Sequence, residues 1–202
     1  MKDFLHVVAS PRGDESFSVR VGRRFLQSLP GVAVETLDLF RADLPPFDAP
    51  YAAAKYAVLG GATPADDAQR AWKRVIELAD HFKSFDGYVF SAGMWNFGIP
   101  YRLKHYLDLV VQPGLTFSYS PQKGYQGLVT GKPAVLALAR GADYSPGSGA
   151  EAMDMQRPYL EAILRFIGFA DIRTIVVQPT LGDERALDAA LTEADRIARE
   201  FR

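Results

Sequence analysis

Residues 91–108 read SAGMWNFGIPYRLKHYLD, and how this stretch divides decides the fold. It continues an apolar run, Asp86-Gly87-Tyr88-Val89-Phe90, with the length and content of a buried strand. Gly93, Asn96 and Gly98 then mark a loop. Pro100 suits the first position of a helix, where the N–H it lacks would have no partner. Leu103, Tyr106, Leu107 and Val110 recur on one face of that helix. Strand, loop, helix is half of a βαβ unit, and in an open α/β sheet the loops leaving the carboxyl ends of strands are where ligands bind.

Working outward, the same alternation recurs. Residues 4–9 are apolar apart from His6 and predict a strand buried on both faces. Phe17, Val21, Phe25 and Leu29 step by four to a stop at Pro30-Gly31, and residues 32–39 predict a second strand. Residues 65–85 predict a helix with Ala68, Trp72, Val75, Ile76, Ala79 and Phe82 inward, and residues 133–139 a fourth strand. Tyr159, Leu160, Ile163, Leu164 and Ile167 predict a helix that Gly168 ends and that Pro158 either starts or kinks. Residues 172–177 predict a fifth strand and residues 184–201 a last amphipathic helix. Residues 40–64, rich in Pro, Ala and Gly, lack a sustained period and predict a long surface connection. Residues 115–119 and 124–129, flanking Ser120-Pro121-Gln122-Lys123, predict a hairpin-like flap. The expected class is α/β, a parallel sheet covered on both faces, with residues 1–202 as one domain.

With 202 residues, such a domain buries about 70% of its unfolded surface and needs no covalent staple. The 23 basic and 24 acidic residues leave a formal charge of −1, so charge gives no reason to propose nucleic acid or an anionic membrane as partner. Absence of cysteine excludes disulfides and thiol chemistry, and any redox work needs a cofactor. No apolar run approaches the ~20 residues of a membrane span, and the first residues do not form a signal peptide, which points to the cytoplasm. The three histidines have no metal-ligand spacing, so no metal is expected.

Three loops carry candidate chemistry. After the first strand, Ser10, Ser16 and Ser18 surround a helix start whose free N–H groups suit a phosphate, with Arg12 near; alternatively Ser16 only caps the helix and Arg12 is solvated. A single glycine in that loop does not make the G-x-G-x-x-G of dinucleotide binding, and Gly131-Lys132 belongs to no Walker loop. After the third strand, Met94-Trp95-Asn96-Phe97 offers rings and amides to a flat heterocycle, or else aromatics that close the core. After the fourth, Arg140-Gly141-Ala142 either aims N–H donors at the same ligand or is a plain turn.

These residues resemble the FMN-dependent NADH-azoreductases, flavodoxin-like homodimers related to the NAD(P)H-quinone reductases. SPRGDESFS, MWNFGIPYRLKHYLDLVVQPGLTFSY, GLVTGK and RPYLEAILRFIGFADI carry the likeness nearly end to end. The resemblance implies a flavodoxin-like three-layer sandwich with five-strand order 2-1-3-4-5. It places Ser10, Ser16, Phe17 and Ser18 on the FMN phosphate, and Met94, Trp95, Asn96 and Phe97 along the ribityl chain and isoalloxazine. Ala139, Arg140, Gly141 and Ala142 come by the pyrimidine edge. The family's usual Ser-Arg-Gly-Gly is altered here to Ala at 139 and 142. A histidine often follows in that family; here it is Asp143-Tyr144, with Tyr144 expected near substrate alongside Phe117 and Tyr119 of the flap. The implied reaction is ping-pong hydride transfer from NADH to a quinone or azo compound, the flavin itself carrying the chemistry. The alternatives are a flavodoxin-like FMN electron carrier and a nucleotide-responsive interaction protein without turnover.

Overall fold

The computed structural model describes residues 1–181 and 185–201. Strands β1 (Lys2–Ala9), β2 (Val32–Asp38), β3 (Gly87–Gly93), β6 (Ala134–Ala139) and β7 (Ile172–Val177) form one parallel sheet of order β2-β1-β3-β6-β7. With the antiparallel hairpin of β4 (Phe117–Ser120) and β5 (Gly124–Gly127) set apart, this is the expected 2-1-3-4-5 topology. Every crossover carries a helix, as parallel neighbours require.

Alternation along each strand divides the core into two layers. Leu136 and Leu138 of β6, Leu5 and Val7 of β1, and Tyr88 and Phe90 of β3 point to one side. There they meet α3 (Asp66–Lys83), α4 (Tyr101–Val110) and α5 (Gln156–Ile167) through Phe82, Leu107 and Leu164. Phe4, Val89, Val135 and Ala137 point to the other side, against α1 (Phe17–Gln27) and α6 (Arg185–Glu200) through Val21, Phe25, Leu187 and Ile197. Glu184, where the last helix was expected to begin, lies outside the described residues.

Four local expectations change. Residues 40–64 are not structureless: α2 (Ala49–Leu59) occupies their middle. Its sequence, APYAAAKYAVL, is rich in strong helix formers but apolar nearly all round, so no amphipathic period announces it. Tyr51 and Ala54 alone are fully covered, in a cluster with Trp72 of α3 and Leu109 of α4. β3 runs on through Ser91 and Ala92 to Gly93, so the loop starts later than expected. Pro100 is the N-cap of α4 rather than its first residue: its ψ of 142° is extended, while its carbonyl accepts from the N–H of Leu103 at 2.9 Å and Lys104 at 3.1 Å. The hairpin is shorter than the flap predicted, and it docks where a Cβ on Gly127 would strike the backbone of Ile167 and Gly168. Pro158 starts α5, being in its first turn, and Gly168 closes that helix in the left-handed region at φ 116°.

Between the two central strands lies a buried polar pair. His6 Nε2 sits 2.8 Å from Ser91 Oγ, with His6 1% and Ser91 0% exposed. Burial, with Arg23 adding a smaller repulsion, lowers the His6 pKa from 6.5 to about 4. Between those values the unfolded chain binds a proton that the folded chain refuses, so folding is favoured fully above about pH 6.5 and progressively less as pH falls toward 4. We expect denaturant melts to lose about 3 kcal/mol across that window. A His6→Gln variant should lack this slope, and an unchanged slope would show that other groups produce it.

Candidate functional site

The N–H groups of Phe17, Ser18 and Val19 start α1, and no hydrogen bond claims them among the described residues. The N-cap residue Ser16 makes no side-chain cap bond; its hydroxyl lies 3.0 Å from that of Ser18 instead. The local alternative, a serine that only caps, is therefore not what the geometry shows. Ser10, at the end of β1, is 7% exposed and accepts a long 3.4 Å contact from the Arg12 N–H. Free amides, hydroxyls and the positive end of a helix dipole make a seat for an anionic phosphate.

This helix start forms one wall of a cleft of about 190 Å³ at the carboxyl ends of the strands. Ser10, Ser16 and Phe17 come from the first loop, Met94 and Trp95 from the second, Ala139 and Gly141 from the third. Three loops far apart in sequence thus meet because β1, β3 and β6 are neighbours in the sheet. The Met94 N–H donates to the Ala139 carbonyl at 2.8 Å, tying the second loop to the third.

The second loop turns sharply. Trp95 and Gly98 exchange two backbone bonds of 3.0 Å around Asn96 at φ 46° and Phe97 at φ 69°. Both central residues with positive φ make a mirror-image two-residue turn, easy for Asn96 and costly for an aromatic such as Phe97. The Met155 N–H, 3.0 Å from the Phe97 carbonyl, and the Tyr144 ring, 6.4 Å from the Phe97 ring, hold it. The turn leaves Trp95 37% and Phe97 46% exposed, so neither is a buried core aromatic. Trp95 packs on Phe40 at 5.7 Å and Tyr101 at 6.2 Å, and behind it opens a second, larger depression of about 730 Å³ that includes Asn96.

Other candidates fall elsewhere. Ser18 is wholly buried and reaches the cleft only through Ser16. Ala142 is exposed beside the cleft rather than in it. Arg140 does not aim its side chain at a ligand: it is 3% exposed, with Nε 3.2 Å from Gln156 Oε1, Nη1 3.3 Å from Gln178 Oε1 and Nη2 2.8 Å from Asp154 Oδ2. Its N–H is also committed, donating to the Val177 carbonyl at 2.9 Å. Burial holds this guanidinium below its usual range while Asp154 opposes the shift. The Gly141 N–H, by contrast, has no hydrogen-bond partner among the described residues. Phe117 is 8% exposed and packed on Phe166 at 4.8 Å, Tyr119 is 61% exposed 5.0 Å from Tyr125, and no hairpin residue lines the cleft of its own chain.

Comparison with known proteins agrees with this architecture. Residues 2–200 match the family described as having a flavodoxin-like fold. The FMN-dependent NADH:quinone oxidoreductase of Desulfotalea psychrophila is 45% identical over 209 residues, covering 100% of this chain and 98% of that protein. This chain belongs to the FMN-dependent NADH:quinone oxidoreductase family. The family member of Nitratidesulfovibrio vulgaris is 46% identical over 211 residues, with both chains covered in full. Among solved structures, an azoreductase of Bacillus anthracis superposes with a TM-score of 0.88 at 28% identity over 100% of both chains. An FMN-dependent NADH-azoreductase of the same species, solved with FMN, gives 0.86 at 27% over 99% of both.

For a member of this oxidoreductase family the sequence reasoning missed Thr180, which enters the cleft after β7. Its signal was available: β7 ends on the same rim as the other strands, so the residues beyond it had to arrive there. Phe40, which backs Trp95, had no such signal, lying in the stretch without a period.

Proposed function

We propose that this chain is an FMN-dependent NADH oxidoreductase that reduces quinones and azo compounds, with residues 1–202 as one FMN-binding domain. The observation that carries it is the cleft itself, with unclaimed amides and hydroxyls at one end and the exposed face of Trp95 at the other. That donor set fits FMN: a dianionic phosphate suits the α1 start, and a planar ring suits Trp95 and the small floor of Ala139 and Gly141. The FMN-dependent NADH:quinone oxidoreductases 45% and 46% identical to this chain along its whole length support the same assignment.

FMN, when bound, would supply the hydride-transfer chemistry between NADH and the acceptor. The chain's own residues bind and orient. Ser10, Ser16 and the amides of Phe17, Ser18 and Val19 would hold the phosphate. Met94 and Trp95, which line the cleft, would bind the ring, with the turn at Asn96 and Phe97 next to them and Tyr144 packed on Phe97. The Gly141 N–H, unclaimed among the described residues, would be a donor to the ring, where an aligned donor to developing negative charge contributes about 3 kcal/mol. A ring held there with one side open would make donor and acceptor take turns, giving ping-pong kinetics.

The proposal includes a homodimer. Tyr125, 62% exposed, lines an apolar groove with Phe47, Phe117 and Phe166, and Tyr119, 61% exposed, packs on Tyr125 at 5.0 Å, a surface suited to a second copy. Phe117 and Tyr119 would then border the acceptor from the partner's side. No helix among the described residues is long and apolar enough to cross a membrane, and a cytoplasmic setting supplies NADH.

A visible spectrum before and after NADH is added without oxygen tests the proposal. We expect flavin bands that bleach. Bands that NADH leaves unchanged would indicate an electron carrier, and a chain that stays colourless with added FMN would overturn the proposal.

A further inference from the structure

Ala139 and Gly141 face the cleft, and the residue between them turns the other way. Arg140 drives a guanidinium into the protein directly behind the cleft floor, where it is 3% exposed. Its main chain is held on both sides, the N–H on the Val177 carbonyl and the carbonyl on the Thr180 N–H, each at 2.9 Å. The main chain of Arg140 is therefore fixed at the β6–β7 rim, with its side chain directed inward.

The start of α5 and the residue after β7 supply what surrounds this charge. Asp154 places a carboxylate oxygen 2.8 Å from Nη2, an ion pair with little exposure on either side. Gln156, wholly buried, accepts from Arg140 Nε at 3.2 Å and donates to the Ala92 carbonyl of β3 at 3.3 Å. Gln178 accepts from both Arg140 Nη1 and the Tyr144 N–H at 3.3 Å. Two neutral amides and the Asp154 carboxylate thus contact the cation in a place with little water to screen it, while Arg157 and, behind Gln178, Asp143 are charges further out.

We propose that the Arg140–Asp154 pair sets the reduction potential of the cofactor bound in the cleft, acting as a buried, balanced charge behind the floor rather than as a ligand. The proposal rests on the FMN assignment above. Reduction adds negative charge on the cofactor side of the floor, so the balance between cation and carboxylate weighs on the reduced form more than the oxidised one. Both residues are positioning residues, since neither side chain lines the cleft.

Two near-isosteric variants separate charge from scaffold. Asp154→Asn keeps Oδ1 as acceptor for the N–H groups of Gln156 and Arg157, both at 3.1 Å, and so keeps the helix start while leaving the cation unbalanced. Arg140→Gln removes the cation and keeps a donor. The midpoint potential of bound FMN, measured at pH 7, should rise in Asp154→Asn and fall in Arg140→Gln. Each should change the ratio of reduced to oxidised affinity about tenfold, equal to about 30 mV for a two-electron couple.

A purely structural clamp would loosen in both variants and move the potential in one direction or not at all, and either result overturns the proposal. If Arg140→Gln does not fold, Asp154→Asn decides: a rise supports the proposal, and no shift or a fall overturns it. Added FMN that leaves the wild-type chain without bound flavin would instead sink the FMN assignment, and this inference with it.

Discussion

A chain carrying Ser16→Asp should fold as the wild type does and bind FMN about a thousandfold more weakly. Aspartate is as good an N-cap as serine, and a carboxylate near a helix start is favoured by the helix dipole, so α1 gains nothing from refusing it. Ser16 is 5% exposed and lies on the cleft wall where the free amides of Phe17, Ser18 and Val19 converge. A carboxylate there accepts the bonds that a phosphate would accept and repels what remains. Two like charges about 4 Å apart near a protein surface cost about 4 kcal/mol, which is about a thousandfold in affinity. Riboflavin, which lacks the phosphate, should bind both chains alike. Fluorescence titration with the two flavins reads the difference directly. Equal losses for riboflavin and FMN would place the phosphate elsewhere, and no loss for either would remove the first loop from the site.

The parts legible in the sequence were those whose cause is local. The strands of the parallel sheet declared themselves as short apolar runs, or by alternation in the case of β2, and α3 and α5 by spacing, because burying one stripe of a helix imposes a period. Residues 49–59 did not, because a helix apolar nearly all round carries no stripe. The candidate site divides the same way. Ser16, Trp95 and Gly141 could be singled out because each follows a strand, and parallel strand ends share a rim. What Arg140 does could not be read there: its carboxylate partner arrives from the turn before α5 and its amide partners from α5 and the end of β7. An arginine beside a glycine at a strand end looks like a free donor until those later segments are in place. Phe97 is the opposite case, a residue whose left-handed backbone breaks a local preference and which the fold holds through Met155 and Tyr144.

Replacing Gly22 by valine should cost about 4 kcal/mol and lower the melting temperature by roughly 10 °C. Gly22 sits in the middle of α1, where a helix normally does better with any side chain than with none. Here a Cβ would run into Ser91 Oγ and come within 3.0 Å of His6 Nε2 and 3.1 Å of Val89 Cγ1. The strands beneath cannot retreat, since β1 and β3 have neighbours on both sides in the sheet. Two responses remain. If the Ser91 hydroxyl turns aside, it abandons its 2.8 Å contact with His6 and leaves two buried polar groups unpaired, at about 1–3 kcal/mol. If instead α1 lifts, Val21 and Phe25 lose their packing and the helix start moves away from Ser10 and the rest of the cleft. The second response weakens FMN binding along with stability, the first weakens stability alone, so measuring both in one variant tells which the molecule takes. Gln27→Ala, on the exposed side of the same helix, should change neither. A Gly22→Val chain that melts with the wild type would mean that α1 is not held against the central strands as closely as these distances require.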